Sequence, residues 1–467
     1  MMQKKLAIIP ATILVLGGIW IGGAWYTGKQ IEQIYPEEVA AINQNPLIQL
    51  ENIKFQRHIF SSEMQYDVKM GDKSFPVQSH IYHGPLPTNL LSQSSFQPLM
   101  ASVETTLIKN EQTEPFFKLF SKAQPFLLTT NVDYQQQLNL NLAISSGKLQ
   151  TEKGQANWSD SQYQLTLDKE KNIHYQATLN HLDLNIITDQ RNELPSKILI
   201  EEFATQGDLQ LTQWKYLPVG KGTSKVKRLQ IEQLLKKEGN QTFSITYENQ
   251  ISHEESSKDG DFFSIKSEGT IDNVLINQQS LYAQKAKFEL NHLQGEAFQK
   301  IVEAALENDQ AKLGKALQTI FTNQPQFIIA PLALHNANGQ FALNSHIQLG
   351  QMDFKQALDK GKLEDIFNQL RLSLVLDKAF QQQFITGIIK MLYTQQAEKT
   401  ISDQDVENIQ TGIQRLLQEQ VVRGILTETE TSYEFNFEQK DKKFYLNQQE
   451  IPKEVLFFAL LQLVTGF

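Results

Sequence analysis

Histidine supplies the first candidate chemistry. His80 and His83 stand at a His-x-x-His spacing. On a helix, histidines three apart share a face and can grip one metal ion; on a strand they point to opposite faces. Val77-Gln78-Ser79-His80-Ile81-Tyr82-His83 alternates apolar and polar side chains, which predicts a strand. The pair therefore reads as exposed structural histidines, with His83 making a hydrogen bond in the turn at Gly84-Pro85-Leu86-Pro87. Gly220-Lys221-Gly222-Thr223-Ser224 has the composition of a phosphate loop, but the glycine five residues before the Gly-Lys pair is missing. Lys221, Lys225, Lys227 and Arg228 beside it read as a solvated basic loop, with anionic lipid headgroups as the other partner such a cluster suits. His253-Glu254-Glu255 reads as a charged loop. There is no Gly-x-Ser-x-Gly elbow and no His-Glu-x-x-His helix. The acidic residues are dispersed, so no carboxylate pair offers itself for general acid–base work. No catalytic, cofactor-binding or metal-ligating residue is nominated; the expectation is a protein that is not an enzyme and has no cofactor.

The composition narrows the field further. A chain of 467 residues without cysteine has no disulfide, thiolate metal site, iron–sulfur ligation or cysteine nucleophile. Its net charge of −9 argues against nucleic acid as a partner, because a nucleic-acid binder concentrates positive charge on one face. Gln and Asn are frequent, but runs such as Gln135-Gln136-Gln137 lie inside patterned segments and read as polar faces.

One stretch departs from this water-soluble composition. Residues 6–26 carry no charge, with Lys4 and Lys5 before them and Lys29 after. A helix needs about 20 apolar residues to cross a bilayer. Trp20, Trp25 and Tyr26 lie toward the far boundary, where amphipathic rings prefer to sit, and the two lysines hold the amino end in the cytoplasm. The segment predicts a single-pass inner-membrane anchor with the body in the periplasm. A cleaved signal peptide, with Gly22 and Ala24 as the small residues of a cleavage site, is the competing reading; the apolar run is long for that. Gly18 and Gly22 form a Gly-x-x-x-Gly pair, and Ala24 and Gly28 continue the small spacing. Such spacing lets membrane helices approach closely and makes Gly18 and Gly22 candidates for pairing two copies of the chain, against the plainer reading that glycine is simply common in membrane helices.

Beyond the anchor, helical periodicity continues over residues 27–44, with an interruption expected near Pro36. Period-2 alternation then dominates from residue 45 to 294. Leu138, Leu140, Leu142 and Ile144 share one face, as do Ile173, Tyr175, Ala177 and Leu179; Leu182, Leu184 and Ile186 follow in the opposite phase, which predicts a bend or bulge. One apolar and one wet face mean antiparallel sheet. From 295 to 467 the periods mix. Phe298, Ile301, Val302, Ala305 and Leu306 predict a helix running on through Leu313, Leu317 and Ile320. Asn338-Gly339 between apolar runs predicts a hairpin. Ser402 with Asp405 resembles a capping box, and Pro452 is placed to open a last helix.

Several of these stretches resemble one family. Gly22-Gly23-Ala24-Trp25-Tyr26-Thr27-Gly28-Lys29-Gln30-Ile31-Glu32, the segment from Arg57 to Glu63, the turn His83-Gly84-Pro85-Leu86-Pro87, and Met100-Ala101-Ser102-Val103-Glu104-Thr105-Thr106-Leu107 look like the YdgA-like family of bacterial envelope proteins, a domain-of-unknown-function family. Ile329-Ala330-Pro331-Leu332 with Asn336 and Gly339, and the residues from Phe444 to Asn447 with Ile451, extend the likeness toward the carboxyl end. The resemblance implies placement in the envelope and no established chemistry.

The sequence thus predicts an α+β, β-dominated chain: a cytoplasmic stub at 1–5, the anchor at 6–26, a juxtamembrane helix at 27–44, an antiparallel region at 45–294 and a mixed helix and hairpin region at 295–467. The function it suggests is envelope binding or scaffolding, in one version with a lipid or other hydrophobic ligand held on a curved sheet. The alternatives are an envelope hydrolase with an unfamiliar site and a dimeric interaction protein.

Overall fold

The computed structural model of the chain describes residues 2–44, 48–186, 196–234, 242–350, 360, 362–396 and 402–452; the side chains of residues 2–19, 234, 242, 363 and 390–396 also lie outside the described set. The chain forms two compact units, Met1–Thr151 with Gln155–Leu182, and Glu152–Gly154 with Asp183–Phe467. The terminal helix expected after Pro452 falls outside the described residues.

The first unit opens with α1 (Met2–Ile42). Then come β1 (Gln49–Arg57), β2 (Ser61–Met70), β3 (Lys73–His83), the short α2 (Thr88–Ser92), β4 (Ala101–Leu107), α3 (Glu114–Phe117), β5 (Phe126–Val132), β6 (Leu138–Ile144), β7 (Gly147–Thr151), β8 (Gly154–Trp158), β9 (Ser161–Leu167) and β10 (Asn172–Ile186). Strands β1 to β6 pair antiparallel in chain order, and β6 then pairs β9, which pairs β10. Alternation sets which face is dry. On β3 Val77, Ser79, Ile81 and His83 are buried. Met64, Ile81 and Ala101 form a core there, closed by Ile31, Tyr35 and Val39 of α1.

One expectation changes in this unit. Helix α1 runs unbroken through Pro36. Pro36 lies on the exposed side of the helix, where the carbonyl that its missing N–H leaves free is open to water. The phase change after Leu179 in β10 coincides with the end of the β9 ladder at Leu179–Ser161, and β10 also pairs β8.

The second unit contains β11 (Lys197–Gln210), β12 (Val219–Leu234), β13 (Thr242–Asp259), β14 (Phe262–Ile276) and β15 (Gln279–Gln294), then α4 (Gly295–Glu307) and α5 (Gln310–Thr322). After them come β16 (Gln326–Asn336), β17 (Gly339–Leu349), β18 (Phe367–Asp377), α6 (Lys378–Gln396), α7 (Asp403–Val422), β19 (Thr427–Glu428), β20 (Ser432–Lys440), β21 (Lys443–Leu446) and β22 (Gln449–Ile451). Strands β11 to β18 form an antiparallel meander, continued by β20, β21 and β22. The 18 residues of β13 extend about 60 Å. The architecture is β-dominated and antiparallel with a few helices, as the alternation predicts.

Local signals work where their partners are close in sequence. Asn336 pairs Gly339 across the predicted hairpin. Gly339 has φ +146°, and an added Cβ would run into the Asp377 carboxylate, so a side chain is excluded on both counts. Ser402 and Asp405 form a reciprocal capping box. The long helix expected over 298–320 is instead two. Asn308 turns left-handed at φ 56°, and Asp309 restarts the helix by accepting from the N–H groups of Ala311 and Lys312. The break lets Phe298 and Val302 of α4 pack on Trp214 and Phe263 while Ile320 of α5 reaches Leu293 and Ala297.

The core of this unit's last strands is Leu370, Phe437 and Phe444, with Phe444 2% exposed. Replacing Phe444 with Ala is expected to cost about 3–5 kcal/mol through the cavity it leaves. Replacing the 45%-exposed Phe321 is expected to change stability far less. Urea denaturation of the two variants checks the contrast.

Candidate functional site

The most densely constrained place in the first unit is where α1 lies on the β1–β4 sheet. Trp20 donates its indole N–H to the Leu86 carbonyl at 3.1 Å, and its ring meets Phe60 at 4.9 Å. One turn on, Gly23 lies so close to Pro85 that a Cβ there would sit 2.8 Å from the proline Cδ. Ala24 is fully buried. A Cβ on Gly28 would collide with the His83 imidazole. Further along, Tyr35 stacks on Phe55 at 4.6 Å, Glu32 pairs with Arg57 at 2.8 Å, and Arg57 and Lys29 both lie over the Trp25 ring, at 6.0 and 5.6 Å.

His83 is the hub of the seat and is 1% exposed. This corrects the expectation of an exposed histidine. Its amide donates to the Phe60 carbonyl in the β1–β2 turn and not within the turn at Gly84-Pro85-Leu86-Pro87, and the ring is covered by α1. Nδ1 lies 3.1 Å from the Ile59 carbonyl and Nε2 lies 2.8 Å from the Ser62 hydroxyl. A carbonyl only accepts, so Nδ1 carries the proton and Nε2 accepts from Ser62. Burial pushes the His83 pKa below its ordinary value, outweighing the carbonyls of Ile59 and Ala24, which favour the cation. A hydroxyl against an imidazole is also the pairing of an activated nucleophile. Here Ser62 is wholly buried and the second ring nitrogen faces a backbone carbonyl. The pair joins β2 to β3 beneath the helix, and its burial offers a substrate no approach. His80 points to the opposite face, as the strand assignment requires, 3.7 Å from Glu63.

The four stretches that carry the family likeness in the first 110 residues are those that meet in this seat. The spacing of Ala24 and Gly28, which reads in the sequence as helix-to-helix packing, is used here for helix-to-sheet contact. Gly22 faces open space, and the Gly18 surroundings lie outside the described residues.

The other candidates lie in the second unit. The Lys221 to Arg228 cluster is on β12, not in a loop. His253, Glu254 and Glu255 are on β13. The 13–14-residue ladders between long strands run through what local composition marks as loops. Lys221 pairs with Glu255 at 3.2 Å, Lys227 pairs with Glu202, and His253 Nδ1 lies 3.0 Å from Thr223 Oγ1. Two of the four cations, Lys221 and Lys227, are thus paired across strands with carboxylates, and Arg228 donates to Gln230 on its own strand. A cleft of about 510 Å³ opens over β16, β17, β18 and β20. Across its floor His346, Arg371, Glu438 and Tyr445 stand in one cross-strand row, with Arg371 3.7 Å from Glu438. Among the described residues no group of three or more His, Asp or Glu side chains is arranged to hold a metal ion.

The fold and the seat describe a β-dominated protein whose amino-terminal helix is clamped onto its own first sheet. A family model described as bacterial protein of unknown function (DUF945) matches residues 2–454, and the chain belongs to that family. It is 22% identical over 452 residues to Protein YdgA of Escherichia coli strain K12, covering 87% of this chain and 88% of that one. An uncharacterized protein of Haemophilus influenzae is 27% identical over 333 residues, 67% of this chain and 88% of its own length. The uncharacterized protein YihF of Escherichia coli strain K12 is 24% identical over 241 residues, covering 47% and 48%. No solved structure matches.

Two outcomes follow from the seat. Gly28→Val should destabilise the first unit by about 1–3 kcal/mol through overpacking against the imidazole. Because the folded His83 pKa is depressed, the folded state binds fewer protons than the unfolded chain, and stability is complete above the unfolded value of 6.5 and lost as pH falls below it. His83→Gln should flatten this dependence in thermal melts between about pH 7 and 5.

Proposed function

We propose that this protein is a single-pass, inner-membrane-anchored envelope protein with its amino terminus in the cytoplasm and its body in the periplasm, acting by binding or scaffolding and not by catalysis. One observation carries the reading. The uncharged stretch 6–26 and the helix that seats the first sheet are one continuous element, α1. A helix held at Trp20, Gly23, Ala24 and Gly28 passes any fixed position of the residues before Trp20 directly to the folded body. Among the described residues no helix is long and apolar enough to cross a membrane, and the side chains of residues 2–19 are not among them. The anchor is therefore argued from composition and from the continuity of α1. The mixed polar lining of the cleft, with Asn344, Ser373, Asn436, Arg371 and Glu438, supports a scaffold over the lipid-holding version.

The absence of cysteine makes the topology testable. Met70→Cys places a thiol on an exposed residue at the end of β2. An impermeant maleimide should label it in intact spheroplasts, and the protein should stay in the pellet after carbonate extraction. Labelling only after lysis, or release by carbonate, would sink the reading.

A second reading, pairing of two copies through Gly18 and Gly22, is favoured by the open space around Gly22. Gly18→Ile with Gly22→Ile should abolish crosslinking between copies without changing the melting temperature.

A further inference from the structure

We infer that the end of the first unit around Trp20 is a membrane-contact surface: the β1–β2 turn and the β3–β4 connection lie in the interfacial layer of the bilayer, around the point where α1 leaves it. The inference rests on the anchored reading above and adds to it a lipid-facing surface on the folded body.

The free part of the span is too short to cross a bilayer alone. Of the uncharged stretch that starts after Lys5, 14 residues, 6–19, lie ahead of the seat at Trp20. At about 1.5 Å per residue they cover ~21 Å, against a hydrocarbon core of ~30 Å. About six more residues, ~9 Å of helix, are needed to complete the span, and these are residues 20–25. But Trp20 is already bonded to Leu86, Gly23 lies under Pro85 and Ala24 is covered. A helix cannot complete its span with residues that are packed on the body unless that part of the body enters the membrane boundary with them.

This end of the unit is also built for such a place. Helix α1 and β1 run antiparallel, joined where Asn43 bonds Leu50 in both directions. The β1–β2 turn at Ile59 and Phe60 therefore returns to the level of Trp20. Strand β3 ends and β4 begins at the same level, since Ser61 pairs Tyr82 and His83 pairs Ala101. The connection between them is uncharged from Gly84 to Val103 in a chain that is 20% charged. Its loop returns to the same end through the bond from the Leu99 N–H to the Pro85 carbonyl, and it carries Phe96 with 71% of its surface exposed. Ile59 is 52% exposed on the neighbouring turn, and Ile21, Trp25 and Tyr26 are exposed on the helix itself. The charges begin one step farther from this end: Lys29 on α1 and Arg57 on β1 lie over Trp25. Apolar rim, then indole and phenol, then cations is the order of the acyl boundary, the interface and the phosphate level.

The test uses the full chain and its lack of cysteine. Single substitutions Thr12→Cys, Ile59→Cys, Phe96→Cys and Met70→Cys are labelled with an environment-sensitive fluorophore. Each protein is reconstituted into phosphatidylethanolamine–phosphatidylglycerol vesicles containing lipids brominated near the headgroup or deep in the chain. Met70 serves as the distant control, nine residues along β2 from Ser61, ~30 Å away. The expected result is a loss of emission with deep bromines at Thr12, a loss with shallow bromines and a blue shift at Ile59 and Phe96, and no change at Met70. Quenching at Thr12 without quenching at Ile59 and Phe96 overturns the membrane-contact surface and leaves the anchor standing, and these exposed residues would then face a protein partner or water. No quenching at Thr12 overturns the anchor and this inference together.

Discussion

The close approach of α1 to the first sheet is the constraint on which the first unit depends. It exists because two positions on one side of the helix have no side chain and a third has only a methyl. Gly23 and Gly28 let the helix backbone meet Pro85 and His83, and Ala24 between them is completely covered. Once the backbone is that close, Ile31, Tyr35 and Val39 reach the core of Met64, Ile81 and Ala101 without strain. The approach also removes water from His83, so the imidazole must find its partners inside. It does so with one carbonyl and one hydroxyl, a pairing that fixes its tautomer. Leaving a buried polar group of this kind without a partner costs about 1–3 kcal/mol, so the hydrogen bonds and the glycines specify the same geometry.

The second unit is organised differently. Its core consists of separate apolar clusters, formed where a helix packs on one face of the meander or where paired strands bring apolar side chains together on one face. Trp214 with Phe263 and α4 is one, and Leu370 with Phe437 and Phe444 is another. The opposite face is wet and is laced with cross-strand pairs such as Lys221 with Glu255 and Lys285 with Glu268. Such exposed pairs contribute little to stability. Their effect is on register and solubility, since charges opposite one another on neighbouring strands oppose a one-residue slip.

The resemblance to the YdgA-like family and the membership found by comparison agree, and the seat gives that likeness a physical content. The stretches involved are scattered over some 80 residues of sequence, yet they form one contact: the helix face, the turn at Ile59, the turn at Gly84 and the start of β4. The fold class was legible because period-2 alternation depends only on which face of a strand is dry. The hairpin at Asn336–Gly339 and the capping box at Ser402 were legible because both partners lie within three residues. The polar stretches at 220–228 and 253–255 were misread for the complementary reason. Each is a poor strand by itself and becomes one because a long neighbour supplies its hydrogen bonds.

By itself, the sequence determined the antiparallel architecture, the two-sided character of the strands, the uncharged stretch at 6–26 and the family. These depend on composition and on neighbours within a few residues. Only the tertiary structure decided that His83 is buried, that the small residues Gly23, Ala24 and Gly28 meet a sheet instead of another helix, and that α1 continues past Pro36. In each case the deciding partner comes from a distant part of the chain or from the side of the helix that faces water. Periodicity records that a face is apolar or small; it does not record what will cover it.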